Sequence, residues 1–319
     1  MSKYIVERFI QIIPLIFLVT LAAFIIFQFL GNPVYSMLGP EATQQEIERT
    51  TEELGLNRPM YVQYFIFLGN IVRGDFGTSY TRHRSVSILL RERLPASIEL
   101  ALTATIVAVL FAIPIGVYTA IYPKSPISRV FMGTSLFGIA MPTFLLGVLL
   151  ILFISVTLRW LPPSGRGEAL GFAFFRTSLL TANGISHIIL PAVTLSLYQF
   201  AMLLRLIRAA VMEEMVKDYA RTARAKGLSN RVVYFKHVLR NALSSAITMV
   251  VILFITCLAY SIVVETIFQW PGLGSLIVHA IAENDQPIIV AYILFVAIAV
   301  IILNLLADIL YRLLDPRTV

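Results

Sequence analysis

Long uninterrupted apolar runs, not an alternation of polar and apolar positions, dominate this chain. They lie near residues 9–30, 100–121, 130–158, 185–204, 242–264 and 288–307. A run of about 20 apolar residues forms a helix that crosses a hydrocarbon core of about 30 Å. The pattern therefore predicts an all-α, polytopic membrane protein with six transmembrane helices. Four of the runs contain a proline: Pro14, Pro114, Pro142 and Pro191. Proline removes a backbone donor and kinks a helix, and a bundle tolerates this because neighbours re-satisfy the freed carbonyl. The run at 130–158 has 29 residues, too long to stand upright, and is expected to tilt or protrude.

The polar intervals have their own organisation. The stretch EATQQEIERTTEELG reads as an acidic surface helix closed by Gly55. NRPMYVQYFIFLGNIVRGDFGTS follows, with Asn57 as a cap and Pro59 in the first turn of a short apolar helix. Its apolar part, Tyr61 to Val72, is too short to cross and is expected to lie on the bundle or the interface. Gly74 and Gly77 then bracket Asp75 and Phe76 in a turn. WPGLG breaks the chain again after the fifth run. Trp270, Pro271, Gly272 and Gly274 read either as an interfacial hairpin with Trp270 at the headgroups or as a re-entrant piece at the outer mouth. The second reading is preferred.

Charge sets the orientation. With both termini on one side, that side holds fifteen of the Lys and Arg residues and the other ten, seven of which lie in the long segment 31–98. Among short flanks the contrast is fifteen against three, which predicts both termini in the cytoplasm. The N-terminal MSKYIVERF has the basic start of a signal peptide, but its apolar run ends without a small-residue cleavage site, so a retained anchor is expected.

Composition agrees with the pattern. Of 319 residues, 58% are hydrophobic and 13% charged, against the 45–50% apolar residues of an ordinary globular domain. The single cysteine, Cys257, excludes an internal disulfide. A pI of 9.6 points to nucleic acid or anionic lipid until the charges are located. They concentrate in one insert, YARTARAKGLSNRVVYFKHVLRNAL at 219–243, with six Lys or Arg, His237 and no acid. Burying those six charges in the membrane would cost about 15–20 kcal/mol, so the insert sits in water or against a partner.

Residues 212–226 read as a helix with Glu213 and Glu214 in its first turn and Gly227 as its stop, and Ser229 caps a second helix. Lys217, Arg221 and Arg224 then form one charged stripe opposite Met215, Tyr219 and Ala223. Ala220, Ala223 and Ala225 keep the helix slim enough for close approach by another protein. The competing reading is a loop that only sets topology or grips anionic lipid. No stacking aromatics or base-reading motif accompany the charge, so nucleic acid is not expected.

Other chemistry is sparse. GDFGTS contains Asp-Phe-Gly but none of the other protein-kinase segments. No G-x-x-x-x-G-K-[ST] loop occurs, so nucleotide would have to be bound by a separate subunit. His83, His187, His237 and His279 lack metal-ligand spacing, and no metal or cofactor is expected on this chain. Ionisable residues deep in spans mark ion pathways, and here Glu99, Glu265 and Asp308 all fall near span ends. That weighs against an ion-coupled secondary carrier.

DYARTARAKGLSNRVVYFKHVLRNAL resembles the cytoplasmic loop of the permease subunits of type I ABC importers, in the dipeptide, oligopeptide and nickel branch. The resemblance extends to GDFGTS at 74–79, VVETIFQWPGLG at 263–274 and ADILYRLLDPR at 307–317, so it spans nearly the whole chain. It implies a coupling helix docked on a cytoplasmic ATPase, carried over onto Tyr219, Ala220, Arg221, Thr222, Ala223, Arg224, Ala225, Lys226 and Gly227. Where the general pattern has Glu-Ala-Ala, this chain has Arg221-Thr222-Ala223, a departure common in that branch.

The domain division expected from this resemblance is a first span at 1–30 and an extracytoplasmic segment at 31–96. A five-helix core at 97–308, including the coupling loop 205–240, and a cytoplasmic C-terminus at 309–319 complete it. The implied partners are a second homologous permease, two ABC ATPases that bind ATP and magnesium, an extracytoplasmic substrate-binding protein and the lipid bilayer of a bacterial or archaeal cell membrane. The implied function is import of di- or oligopeptides without catalysis by this chain. Nickel or metal chelates and glutathione are the alternative cargoes, and an ion-coupled carrier is the alternative class.

Overall fold

The computed structural model describes residues 2–29, 34, 38, 43–53, 55–172 and 175–314. In chain order the first elements are α1 (Ser2–Phe29), α2 (Gln44–Glu53), α3 (Met60–Val72), α4 (Val86–Ile121) and α5 (Pro126–Ala140). Next come α6 (Thr143–Leu150), extended by a π turn at Ile151–Thr157, and a hairpin of β1 (Leu170–Phe172) and β2 (Phe175–Thr177). α7 (Ala182–Val216), α8 (Asp218–Ala225) and α9 (Asn230–Val232) follow, and a π turn at Val233–Val238 leads into α10 (Leu239–Tyr260). The chain closes with α11 (Ile262–Ile267), α12 (Leu273–Ala282) and α13 (Gln286–Leu314).

Among the described residues four helices are long and apolar enough to cross a membrane, over Ile10–Gln28, Val86–Ile121, Ala182–Val216 and Gln286–Ala307. Two bent pairs raise the number to six if each counts as one span. The expected tilted span at 130–158 is one of these pairs, α5 and α6 with its π turn, bent by 108°. The cause is local. Pro142 has no N–H to donate, and Met141 before it takes φ −78°, ψ 127°, the extended conformation that a following proline favours. Pro14 and Pro191 lie inside continuous helices, as does Pro114 in α4, so of the four prolines only Pro142 breaks its helix.

α4 begins at Val86, well before the expected edge near 100. At 36 residues it is about 54 Å long, more than a hydrocarbon core requires. Arg91, Glu92 and Arg93 stand in its first turns and account for the polar interval in the sequence. α7 likewise runs on past the expected end at 204, to Val216.

The chain divides into two compact units. One comprises Met1–Pro95 and Gly272–Leu303, the other Ala96–Pro271 and Asn304–Val319. In the first unit α3 packs on α1: the hydroxyls of Thr20 and Tyr64 are 2.9 Å apart, and Phe24 meets Tyr64 edge-on at 5.5 Å. Gln28 Nε2 donates to Gln63 Oε1 at 2.6 Å. Thr43 and Glu46 close a capping box at the start of α2, and Gly55 (φ +68°) follows its end. Pro59, not Asn57, occupies the cap position of α3. Gly74 and Gly77 both have positive φ, and the Gly77 amide donates to Asp75 Oδ1 at 2.9 Å, which makes the expected turn.

In the second unit small residues bring helices together. A Cβ placed on Gly116 of α4 would lie 2.8 Å from Ile207 Cγ2 of α7, and one on Gly138 of α5 would lie 3.1 Å from Leu197. Close backbone approach of this kind supplies the dispersion contact on which helix association in lipid depends. The outward faces of the helices are apolar instead: Ile106, Leu110 and Phe111 of α4 are all more than half exposed, as expected of a lipid-facing surface.

Candidate functional site

The basic insert folds as a short helix set off from α7. Lys217 interrupts the helix with an extended backbone (φ −67°, ψ 154°), so the expected single helix 212–226 is two pieces, the end of α7 and α8. Glu213 and Glu214 therefore belong to the last turn of α7 and not to a first turn. They hold the break: Lys217 Nζ lies 2.6 Å from Glu214 Oε1 and 3.4 Å from Glu213 Oε1. The hydrogen bond to Glu214 raises the Lys217 pKa above its ordinary value. Tyr219 donates its hydroxyl to Glu214 as well, and partial burial followed by that contact pushes its pKa up.

α8 has Asp218 in its first turn and Arg224 in its last, matching the helix dipole at both ends. Its stop is a Schellman motif. The Leu228 amide donates to Ala223 O at 3.3 Å and the Gly227 amide to Arg224 O at 2.9 Å, with Gly227 at φ +82°. Ser229 stands at the N-cap position of α9 without a side-chain cap bond.

The faces of α8 differ from the expected ones. Ala220 and Ala223 are buried in one cluster with Ile207 and Val211 of α7 and Val233 and Val238 of the π turn. The slim alanine face thus seats α8 on its own bundle and is not open to a partner. Arg224 leaves the charged stripe: its guanidinium stands 5.8 Å from the Tyr234 ring centre, and Nη1 reaches Met215 O at 3.4 Å. What α8 and its stop present outward is Asp218, Arg221, Thr222, Ala225, Lys226 and Gly227, with Tyr219 half-buried at the edge.

The second sequence candidate is placed differently from the interfacial hairpin. Trp270 is 0% exposed, and its Nε1 donates to Ala96 O at 2.9 Å. It is a core residue, not a headgroup anchor. Pro271 is half-buried, and Gly272 and Gly274 are buried.

Sequence reasoning missed the centre around Glu99. Glu99 is 2% exposed and accepts from Arg166 Nε (3.0 Å), Thr177 Oγ1 (2.8 Å), the Ser178 amide (2.6 Å) and Ser178 Oγ (2.8 Å). It ties the 166–178 hairpin to α4. Glu265, fully buried, accepts from Ser97 Oγ at 2.7 Å and Ser261 Oγ at 2.9 Å. The sequence marks both only as residues near span ends, each a carboxylate beside an apolar run. Among the described residues no group of three His, Cys, Asp or Glu side chains converges as a metal site. His187 Nδ1 lies 2.8 Å from Asn183 O.

Residues 112–319 match the family described as binding-protein-dependent transport system inner membrane component, and residues 1–101 match its N-terminal companion. The chain is 41% identical over 319 residues to the oligopeptide transport system permease protein AppB of Bacillus subtilis, covering 99% of each chain. It is 37% identical over 317 residues to the glutathione transport system permease protein GsiC of Escherichia coli K12, covering 99% of this chain and 98% of that one. The fold is similar to a chain in the inward-facing MetNI methionine ABC transporter, with TM-score 0.57 and 17% identity over 71% of this chain and 96% of that chain. With its long apolar helices, this is a multi-pass membrane protein, and it belongs to the binding-protein-dependent transport system inner membrane component family, the permeases of type I ABC importers.

Proposed function

We propose that this permease forms half of a pathway for di- or oligopeptides and that α8 is the element through which a cytoplasmic ATPase drives it. The observation that carries the reading is the seating of α8. Its alanine face is fixed on α7 and the π turn, while Arg221, Thr222 and Lys226 point away from the bundle. A force applied to that outward face passes to α7 and α10 through buried contacts, not through a flexible loop.

In this account both bent pairs cross the membrane, giving six spans with both termini and α8 in the cytoplasm. The concentration of Lys and Arg in the flanks on that side supports the orientation. Two ATPases bind ATP and magnesium and close together, each moving a coupling helix. The spans of this chain and of a second permease then rock between inward- and outward-open states. An extracytoplasmic binding protein delivers the cargo, and this chain performs no catalysis. The oligopeptide permease similar to it over its full length supports peptides as cargo. The glutathione permease favours a second reading, a short γ-linked peptide handled by the same architecture.

The test is reconstitution of the assembled transporter in vesicles with labelled di-, tri- and pentapeptides and glutathione as competing cargoes. ATP-dependent accumulation of the peptides is expected. Accumulation of glutathione alone moves the assignment to the second reading, and uptake by this chain without an ATPase refutes the division of labour.

A further inference from the structure

Beside α8 lies an open cavity of about 370 Å³ lined by Tyr219, Lys236, His237, Arg240 and Asn241. The four residues after Tyr219 occur at i, i+1, i+4 and i+5, which puts them on one helical face. Lys236 and His237 belong to the π turn Val233–Val238, and Arg240 and Asn241 open α10. Such π turns recur at functional sites. Among the described residues none of Lys236, His237 and Arg240 takes part in an ion pair or a side-chain hydrogen bond. No acid occurs between Tyr219 and Val264, and the carboxylate in contact with Tyr219, Glu214, is already paired with Lys217. Three nitrogen-bearing side chains thus line one concavity, and among the described residues none of them is paired with an acid.

We propose that this cavity binds a phosphate group. A tetrahedral oxyanion accepts hydrogen bonds from several directions at once, which suits a Lys, a His and an Arg spread along a concave wall. A single acidic side chain would leave most of that wall unused. The depth of the site points to the phosphate of an anionic phospholipid. Arg240 is the last charged residue before the 24-residue uncharged stretch Asn241–Val264, so it stands where the chain passes from water into hydrocarbon. Tyr219 belongs to both α8 and the cavity wall, so an occupant here would touch the element assigned to coupling. The binding claim itself does not depend on the transport reading.

The test is native mass spectrometry of the full-length chain in detergent, titrated with phosphatidylglycerol or phosphatidylcholine and then with millimolar inorganic phosphate as competitor. Lys236→Gln, Arg240→Gln and their combination are compared with Arg231→Gln. Arg231 lies about 13 Å from Arg240 along the helix, beyond the screening length of about 10 Å. Phosphatidylglycerol affinity should fall about 5-fold for each cavity charge removed and about 25-fold for the pair, at about 1 kcal/mol per basic residue. Arg231→Gln should change it less than about 2-fold.

Lipid selectivity that survives inorganic phosphate assigns the headgroup. Displacement by inorganic phosphate, with the same loss in the variants, assigns a soluble phosphate; either outcome supports the site. Equal losses for Arg231→Gln and the cavity variants overturn it, as does unchanged binding of both phosphate sources. If the cavity variants instead only loosen the assembled complex, the cavity takes an acidic protein side chain and the proposal fails. Circular dichroism of each variant separates lost binding from lost fold.

Discussion

Glu99 on α4 and Arg166 in the loop before the β hairpin form a buried ion pair, the guanidinium donating through Nε at 3.0 Å. Carboxylates at this depth survive only when every lone pair is engaged. Here Thr177, Ser178 and Leu179 supply the remaining donors. Removing Arg166 strands the charge of Glu99. Arg166→Met should destabilise the protein by about 3 kcal/mol. Glu99→Gln/Arg166→Met should cost less than the sum of the two single changes. Thermal unfolding of the purified variants measures the coupling, and strict additivity would remove the pair from the stability account.

Gly116 and Ile207 define a close helix contact of the second unit. Gly116→Leu forces Ile207 aside and should cost about 1–3 kcal/mol through overpacking. Adding Ile207→Ala to Gly116→Ala should recover little of what Gly116→Ala loses, because Ile207 Cβ at 2.9 Å and Leu204 O at 3.2 Å still oppose the new Cβ. Melting temperatures of the four chains test this, and full recovery would mean that Ile207 Cγ2 alone sets the limit.

Trp270 and Trp160, the only tryptophans, have opposite environments: 0% and 72% exposed. In Trp160→Phe the remaining fluorescence should be resistant to iodide, whereas in Trp270→Phe it should be readily quenched. Trp270→Phe also leaves Ala96 O without its indole donor, at a cost of about 1–3 kcal/mol. Quenchable emission from Trp270 would restore the interfacial reading.

The long apolar runs and the glycine stop of α8 were legible because each depends on local chemistry. A run of apolar residues has one stable conformation in lipid, and a Gly after a short basic helix supplies the positive φ that the Schellman motif needs. Three features were not legible. The bend at Pro142 and the continuity at Pro114 begin from the same residue type, and tertiary packing decides between them. Ala220 and Ala223 carry no sign of which partner they face, so their contact with α7 and the π turn could not be told from an open surface. Glu99 lies 67 residues from Arg166 in sequence, and no local pattern links them.

Gly227 offers a test of shape apart from charge. Nothing lies within 4 Å of an added Cβ there, so crowding is not the constraint; the φ of +82° is. Gly227→Asn should keep ATP-dependent uptake near the original level, because Asn tolerates the left-handed region. Gly227→Val should lower uptake at least several-fold while the helical content is retained. Equal behaviour of the two variants would separate the Schellman stop from coupling.

The central claim is that the outward face of α8 meets the ATPase. Cys257 is buried, so replacing it with Ala leaves a background in which Arg221→Cys or Thr222→Cys is the only accessible thiol. In the assembled transporter, a short bifunctional reagent should join either thiol to the ATPase subunit, with a yield that changes on adding ATP. Labelling of the same thiols by an impermeant reagent from outside intact cells, with no product joined to the ATPase, would contradict it.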